Sequence, residues 1–298
     1  MIERRVALRG PLDLGQTLGA LRHGLGDRTV QLGSRDAWLA VRTDAGPAAL
    51  HVRVMGADEA QARAWGEGAR RLLDSVPDLL GQADDPDALH ARHPVVRHLQ
   101  RQHGGLRLPR TGRVYDALVP SVFEQKVTST EAFRAYAAFL RTFGDPAPGP
   151  NPALLLAPSP QRVAALPYHA LHPIGLERRR AEVVRHAAGR AAWLEAATDS
   201  TDATRRLTSL PGIGAWTAAE VVRAAFGDPD AVSVGDYHLP SMVAWALAGE
   251  PRADDARMLE LLEPYRGQRG RLQRLLEVGR VMPPRRGPRM APRRIANI

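Results

Sequence analysis

The segment Leu207-Thr208-Ser209-Leu210-Pro211-Gly212-Ile213-Gly214-Ala215-Trp216-Thr217-Ala218 constrains this chain more than any other. A short helix runs into Leu210. Pro211 cannot continue it, because it lacks an N–H and its ring clashes with the preceding turn. Gly212 and Gly214 open backbone angles closed to other residues. A new helix begins at Ala215. The segment therefore predicts two helices joined by a tight hairpin. The backbone N–H groups of Gly212, Ile213, Gly214 and Ala215 are expected to point outward at a helix N-terminus. That is an anion site suited to a phosphate, and a main-chain contact of this kind reads no base sequence.

After the second helix comes Phe226-Gly227-Asp228-Pro229-Asp230-Ala231-Val232-Ser233-Val234-Gly235-Asp236-Tyr237-His238-Leu239-Pro240. The hairpin helix uses about twelve residues, or ~18 Å of rise. The loop then has enough chain to return Asp236 towards the hairpin. Asp236 also stands where an N-cap of the next helix is expected, and the two roles are compatible.

The rest of the chain divides into three parts. Residues 1–80 are expected to form a small α+β domain. Arg5–Arg9, Ala37–Val41 and Leu50–Val54 alternate as strands, with a turn at Asp44–Pro47. Leu14, Leu18, Leu21 and Leu25 fall on one helical face, and a second helix is expected through Asp58–Leu73. Residues 81–282 are expected to be mainly helical after a polar, loop-rich stretch over 76–110. Helices are expected over Val114–Gln125, from Thr128 to Phe143, and over 160–166, 177–196, 202–209, 215–226, 239–248, 253–263 and 268–279. Thr128 and Glu131 form a capping box, which leaves Gln125, Lys126 and Val127 at a corner between two helices. Gly144–Pro152 is too rich in proline for a regular element. Residues 283–298 form a basic Pro/Arg-rich tail, in which Arg285–Arg289 either tracks phosphates or is merely solvated.

Lys+Arg exceed Asp+Glu by 41 to 32, a net charge of +9. All but one of those basic side chains are arginine, a bias attributed mainly to codon usage in a GC-rich genome. Charge alone does not specify nucleic acid. There is no cysteine, which excludes disulfides, thiol catalysis and cysteine-ligated metal centres. No apolar run suits a membrane span, and Met1–Arg5 leads into no apolar signal core. A cytoplasmic protein with no membrane partner is the expectation.

The Leu-Pro-Gly-Ile-Gly-x-x-Thr-Ala string, with Gly227, Pro229 and Asp236 following it, resembles the HhH-GPD superfamily of DNA glycosylases. Leu118–Thr128 resembles that superfamily's helix corner, and Gly175–Ala181 its segment before the hairpin. Gly105–Pro109 and the N-terminal α+β unit resemble the AlkA-like 3-methyladenine DNA glycosylase II branch. The resemblance covers nearly the whole chain and is weakest over 1–75 and after 265. It implies a mainly α fold: a helix-hairpin-helix glycosylase region of two helical subdomains flanking an active-site cleft, with the small antiparallel-sheet domain before it.

The resemblance also implies a chemistry. A monomer would flip an alkylated base out of duplex DNA and hydrolyse its N-glycosidic bond. Asp236 would be the catalytic carboxylate, stabilising the oxocarbenium-like sugar or activating water. Trp216, Tyr237 and Gln125 would line the base pocket. Gly212, Ile213, Gly214, Ala215, Thr217 and Lys126 would contact DNA. No cofactor or metal is implied, beyond a monovalent cation at the hairpin–phosphate contact. From the residues alone, Trp216 could also be plain core, Tyr237 is as readable as core as it is as pocket, Gln125 could be an exposed helix end, and His238 reads as a packing or hydrogen-bonding residue.

The chain departs from the family in several places. Lys126 stands where an apolar or amide side chain usually fills the gap left by the base. Leu272, Gln273 and Arg274 stand where the AlkA-like pocket has an aromatic. Lyase members carry a lysine spaced as Gly-x-Lys after the hairpin; here that residue is Trp216, and Lys126 is the only lysine. A monofunctional enzyme is therefore expected. The rival readings are a non-catalytic hairpin DNA-binding protein, a bifunctional oxidised-purine glycosylase/lyase, and a helical transcription regulator of unrelated fold.

Overall fold

The structure, a computed structural model, describes residues 1–284. Its N-terminal part is a five-stranded antiparallel sheet: β1 (Ile2–Ala7), β2 (Val30–Leu32), β3 (Asp36–Thr43), β4 (Gly46–Val54) and β5 (Glu59–Trp65), in the order β1-β5-β4-β3-β2. Leu39, Leu50 and Ala64 lie in register across the three central strands. Together with Val52, Ala60 and Ala62 they pack on α1 (Leu14–Leu18), α2 (Ala69–Asp74) and α3 (Val76–Leu79) as one core reaching from Val6 to Leu80.

Three expectations fail in this part. The helix expected over Asp58–Leu73 is a strand followed by the short α2. In β5 the alanines at 60, 62 and 64 alternate as buried residues between polar ones. Alanine's helix propensity hid this period-two pattern, and tertiary pairing overrode it. The strand expected over Arg5–Arg9 is paired instead over Ile2–Ala7. The leucine stripe stops at Leu21, and Leu25 is exposed, because Gly24 turns the chain at a φ of +82°.

The helical region is built on two cores. The central one joins α5 (Val114–Phe123), α6 (Ser129–Phe143), α7 (Pro160–Ala165), α8 (Tyr168–Leu171), α9 (Arg178–Ala188), α10 (Ala191–Glu195), α11 (Ser200–Thr208) and α12 (Ala215–Phe226). The other joins α4 (Pro94–Gln102) to α13 (Leu239–Ala248), α14 (Asp255–Leu262) and α15 (Arg269–Val278). The chain thus enters one lobe at α4, builds the other, and returns. The helix α4 lies in the stretch read as loop; its apolar stripe is only Val96 and Leu99, too short to stand out. The helix expected over 177–196 is broken at Gly189. Glu195 from α10 accepts the first amides of α5, from Val114 at 2.9 Å and Tyr115 at 2.8 Å. No helix among the described residues is long and apolar enough to cross a membrane.

Between the cores runs the Pro-rich strip, where β6 (Asp145–Pro146) pairs with β7 (Leu155–Leu156). It covers the outer face of the sheet, where Trp38 stacks between His51 and Trp65. The basic Arg285–Arg289 tail lies outside the described residues.

Arg271 on α15 and Asp84 form an ion pair buried on both sides, and Asp84 also accepts from the Leu108 amide at 2.9 Å. Burial pushes the Asp84 carboxyl up and the Arg271 guanidinium down, so desolvation outweighs pairing for each partner. The pair fixes where α15 docks rather than adding much net stability. Asp84→Ala, which strands the arginine, is expected to cost ~3–5 kcal/mol in chemical denaturation, whereas Asp84→Leu with Arg271→Met costs far less.

Candidate active site

The hairpin between α11 and α12 turns through Leu210–Gly214. Gly212 has a φ of +86°, and a Cβ there would meet Val183 of α9 at 2.4 Å, so both its conformation and its packing require glycine. Gly214 differs from expectation. Its φ of −105° is ordinary extended backbone. A Cβ there would meet nothing within 4 Å. What glycine supplies at 214 is bare backbone with open space above it at the N-terminus of α12.

Two residues expected to face a ligand are turned inward. The Ile213 N–H donates to Leu210 O at 3.1 Å, and its side chain is buried. Thr217 is 2% exposed, and its Oγ1 accepts from Gln125 Nε2 at 2.9 Å. Both sit under the hairpin because an apolar and a small hydroxyl side chain pack there, leaving Gly212, Gly214 and Ala215 on the surface.

Gln125 does more than end a helix. Its Nε2 also donates to Gly212 O at 3.0 Å, so one amide ties the α5–α6 corner to the hairpin. Behind it, buried Arg180 donates to Phe123 O at 2.6 Å. The capping box at Thr128 and Glu131 is formed. Lys126, exposed at the tip, adopts a φ of +54°, a left-handed conformation rare outside glycine and costing about 1–2 kcal/mol. Such a residue persists only where its neighbours over-determine it.

Asp236 stands beside the hairpin. Asp236 is not itself the N-cap of α13, which is His238, but its Oδ1 accepts from the amides of His238 at 2.7 Å and Leu239 at 2.8 Å and so binds the start of that helix. Its Oδ2 accepts from the indole Nε1 of Trp216 at 3.1 Å. The half-buried Trp216, in the first turn of α12, is therefore joined to the carboxylate rather than lost in the core. Tyr237 is 89% exposed, which excludes the core reading, and it stands edge-on to His238. The His238 side chain, also exposed, neither packs in a core nor reaches Asp236.

The loop carrying Asp236 rests on a buried polar network that the sequence did not reveal. Arg223 of α12 reaches Glu220 at 3.0 Å and Glu277 of α15 at 3.1 Å. Ser233 donates to Glu220 and accepts from Gln273 Nε2 at 3.0 Å, while its amide donates to Gln273 Oε1 at 3.2 Å. Arg223 is held well above its usual range by the two carboxylates, against the burial that opposes its charge. Of the residues standing where a pocket aromatic was expected, Leu272 and Gln273 are buried, and Arg274 is tied to Glu277 and to Gln16 O. A groove of about 1050 Å³ between the sheet and α5 is lined by neither Asp236 nor Trp216.

No protein-family model matches the chain. It is 30% identical over 174 residues to the "Probable bifunctional transcriptional activator/DNA repair enzyme AlkA" of Mycobacterium tuberculosis, covering 57% of this chain and 34% of that protein. It is 29% identical over 168 residues to DNA-3-methyladenine glycosylase 2 of Escherichia coli, covering 54% of this chain and 57% of that protein. The chain thus spans from a third to just over half of the length of these curated relatives. Among solved structures, a 3-methyladenine DNA glycosylase from Archaeoglobus fulgidus superposes with a TM-score of 0.77 at 18% identity, over 93% of this chain and 98% of that one. The apo form of an 8-oxoguanine glycosylase/lyase from Clostridium acetobutylicum superposes with a TM-score of 0.69 at 11% identity, over 93% and 97%. These structures share the fold, and over just over half of its length the chain is similar in sequence to AlkA and to DNA-3-methyladenine glycosylase 2.

Proposed function

We propose that the protein is a monofunctional DNA glycosylase that releases alkylated bases of the 3-methyladenine type from duplex DNA. The observation that carries this reading is the Asp236 carboxylate, fixed at both oxygens and joined to an aromatic ring beside a bare-backbone hairpin. The amides of Gly214 and Ala215 would hold a phosphate of the damaged strand, with a monovalent cation as the only ion called for. The flipped base would stack near Trp216, whose π-face suits an electron-poor ring. As the C1′–N bond breaks, both its electrons leave with the base. The sugar becomes cationic, and Asp236 lies opposite that charge. Water then bonds to C1′ and gives up a proton, leaving free base and an abasic site. The exposed Tyr237 ring and the Lys126 ammonium would meet the DNA around the lesion. The likeness to an oxidised-purine glycosylase/lyase supports the fold only, and Trp216 stands where a Schiff-base lysine would be required. The acting species would be a monomer working in the cytoplasm.

Asp236→Asn keeps an oxygen for the His238 and Leu239 amides, so the variant is expected to fold and bind duplex DNA. Its single-turnover release of 3-methyladenine should fall by about 10²–10³-fold or more. Undiminished release would remove Asp236 from the mechanism, and borohydride trapping of a covalent adduct would establish the lyase reading instead.

The two hairpin glycines separate folding from binding. Gly212→Ala is expected to lower stability by about 1–3 kcal/mol through strain and the Val183 clash. Gly214→Ala should leave the melting temperature unchanged while weakening duplex affinity roughly tenfold, because its methyl enters the space a phosphate would use. Equal affinity for that variant in a salt titration would exclude a main-chain phosphate contact at 214.

A further inference from the structure

The N-terminal domain sends one loop, residues 22–29, onto the helical region. Two of its glycines are pressed against α6: a Cβ at Gly24 would meet Phe133 at 2.7 Å, and one at Gly26 would meet Ala137 at 2.8 Å. Asp27, 3% exposed, shapes the loop by accepting from the His23 amide at 2.9 Å and from the Thr29 amide and hydroxyl at 2.8 and 2.7 Å. The outcome is a single directed side chain. His23 Nδ1 lies 2.7 Å from Glu124 Oε1, with its ring edge-on to Tyr136 at 5.6 Å. Glu124 directly precedes Gln125 and the left-handed Lys126.

Three consecutive residues of the corner are therefore each held by a different element. Arg180 holds Phe123, His23 holds Glu124, and Gln125 reaches across to the hairpin. Only the second hold comes from the sheet domain. We infer that His23 is a positioning residue, through which the N-terminal domain fixes the Gln125–Lys126 corner in the geometry needed to extrude and hold the damaged base. The inference deepens the glycosylase reading and rests on it for its kinetic arm.

The hold is also expected to depend on pH. Burial pushes the His23 imidazolium down, but the hydrogen bond and charge of Glu124, with the charges of Asp27 and of Glu220 from α12, more than offset this and leave its pKa raised. Tyr136 is the titratable neighbour contributed by α6. A raised histidine keeps its charge-assisted bond below its ordinary pKa of about 6.5 and loses it as pH climbs through the higher folded value. A neutral ring can still donate from Nδ1, so the bond weakens rather than vanishes.

Four full-length proteins test this: wild type, His23→Ala, His23→Asn and Glu124→Gln. Asparagine can place an amide donor where Nδ1 stood. In His23→Ala, hydrogen–deuterium exchange over 124–128 is expected to quicken. Single-turnover release of 3-methyladenine should fall about tenfold, with affinity for undamaged duplex changed less than about twofold. His23→Asn should restore most of both, and Glu124→Gln should give a weaker form of the same defect should the alanine variant fold poorly. As pH rises above about 6.5 the wild-type rate should lose ground relative to His23→Asn, whose side chain does not titrate. Unchanged exchange over 124–128 in both His23→Ala and Glu124→Gln would overturn the inference. So would an asparagine variant as impaired as alanine, which would assign the effect to ring packing on Tyr136. If the wild type releases no base, the glycosylase reading fails, while the exchange arm still decides whether His23 holds the corner.

Discussion

The arrangement around Asp236 depends on Arg223. It lies where the two helical lobes meet, between Glu220 on its own helix and Glu277 on α15. Its side chain is 13% exposed. Three charges at such a place are tolerable only together, because removing one leaves the others desolvated and unbalanced. Ser233 and Gln273 satisfy the remaining hydrogen-bonding positions, and Ser233 begins the turn that closes on the Asp236 amide at 3.2 Å. The position of the carboxylate thus follows from an electrostatic constraint at the lobe interface. A hydrophobic interface would permit sliding, whereas directional bonds to Arg223 define one register.

The second constraint is conformational. A lysine at φ +54° is unfavourable on its own. The corner supports it through contacts from three parts of the chain far apart in sequence: Arg180, Gln125's reach to Gly212 and Thr217, and His23. Strain at the tip and bonding at its base are two sides of one device. The tip projects a long cationic side chain without any regular element carrying it.

What was legible in the sequence was what is local. The bounds of α12 and α13 match expectation because Pro211 and Gly212 punctuate one and Asp236 and Gly249 the other. The capping box at Thr128 and Glu131 is likewise a short-range pattern. β5 is not legible in the sequence, because small alanines carry a weak periodic signal and strong helix propensity. The contacts that organise the site join residues dozens to a hundred positions apart, such as His23 with Glu124 and Ser233 with Gln273, and leave no periodic trace. The inward turn of the Ile213 and Thr217 side chains is hidden from the sequence for a related reason. A motif names the residues of a turn, but only packing decides which of them face out.

The two glycines of the hairpin differ in what a side chain would meet, and under the proposed function that difference divides folding from binding. At Gly212 the fold itself forbids a side chain; at Gly214 the fold is indifferent and only an approaching ligand would object. A contact made by bare backbone cannot distinguish one base sequence from another. Under the proposed function, discrimination between damaged and normal bases would lie elsewhere, in what the Trp216 ring and the Asp236 carboxylate accept once a nucleotide leaves the stack. Those two groups are tied by one hydrogen bond, so the surface that would hold the base and the charge that would act on the sugar cannot move independently. A base that fails to stack in register would also hold its C1′ atom away from the carboxylate. Recognition and rate would then be set by the same geometry, as transition-state complementarity requires.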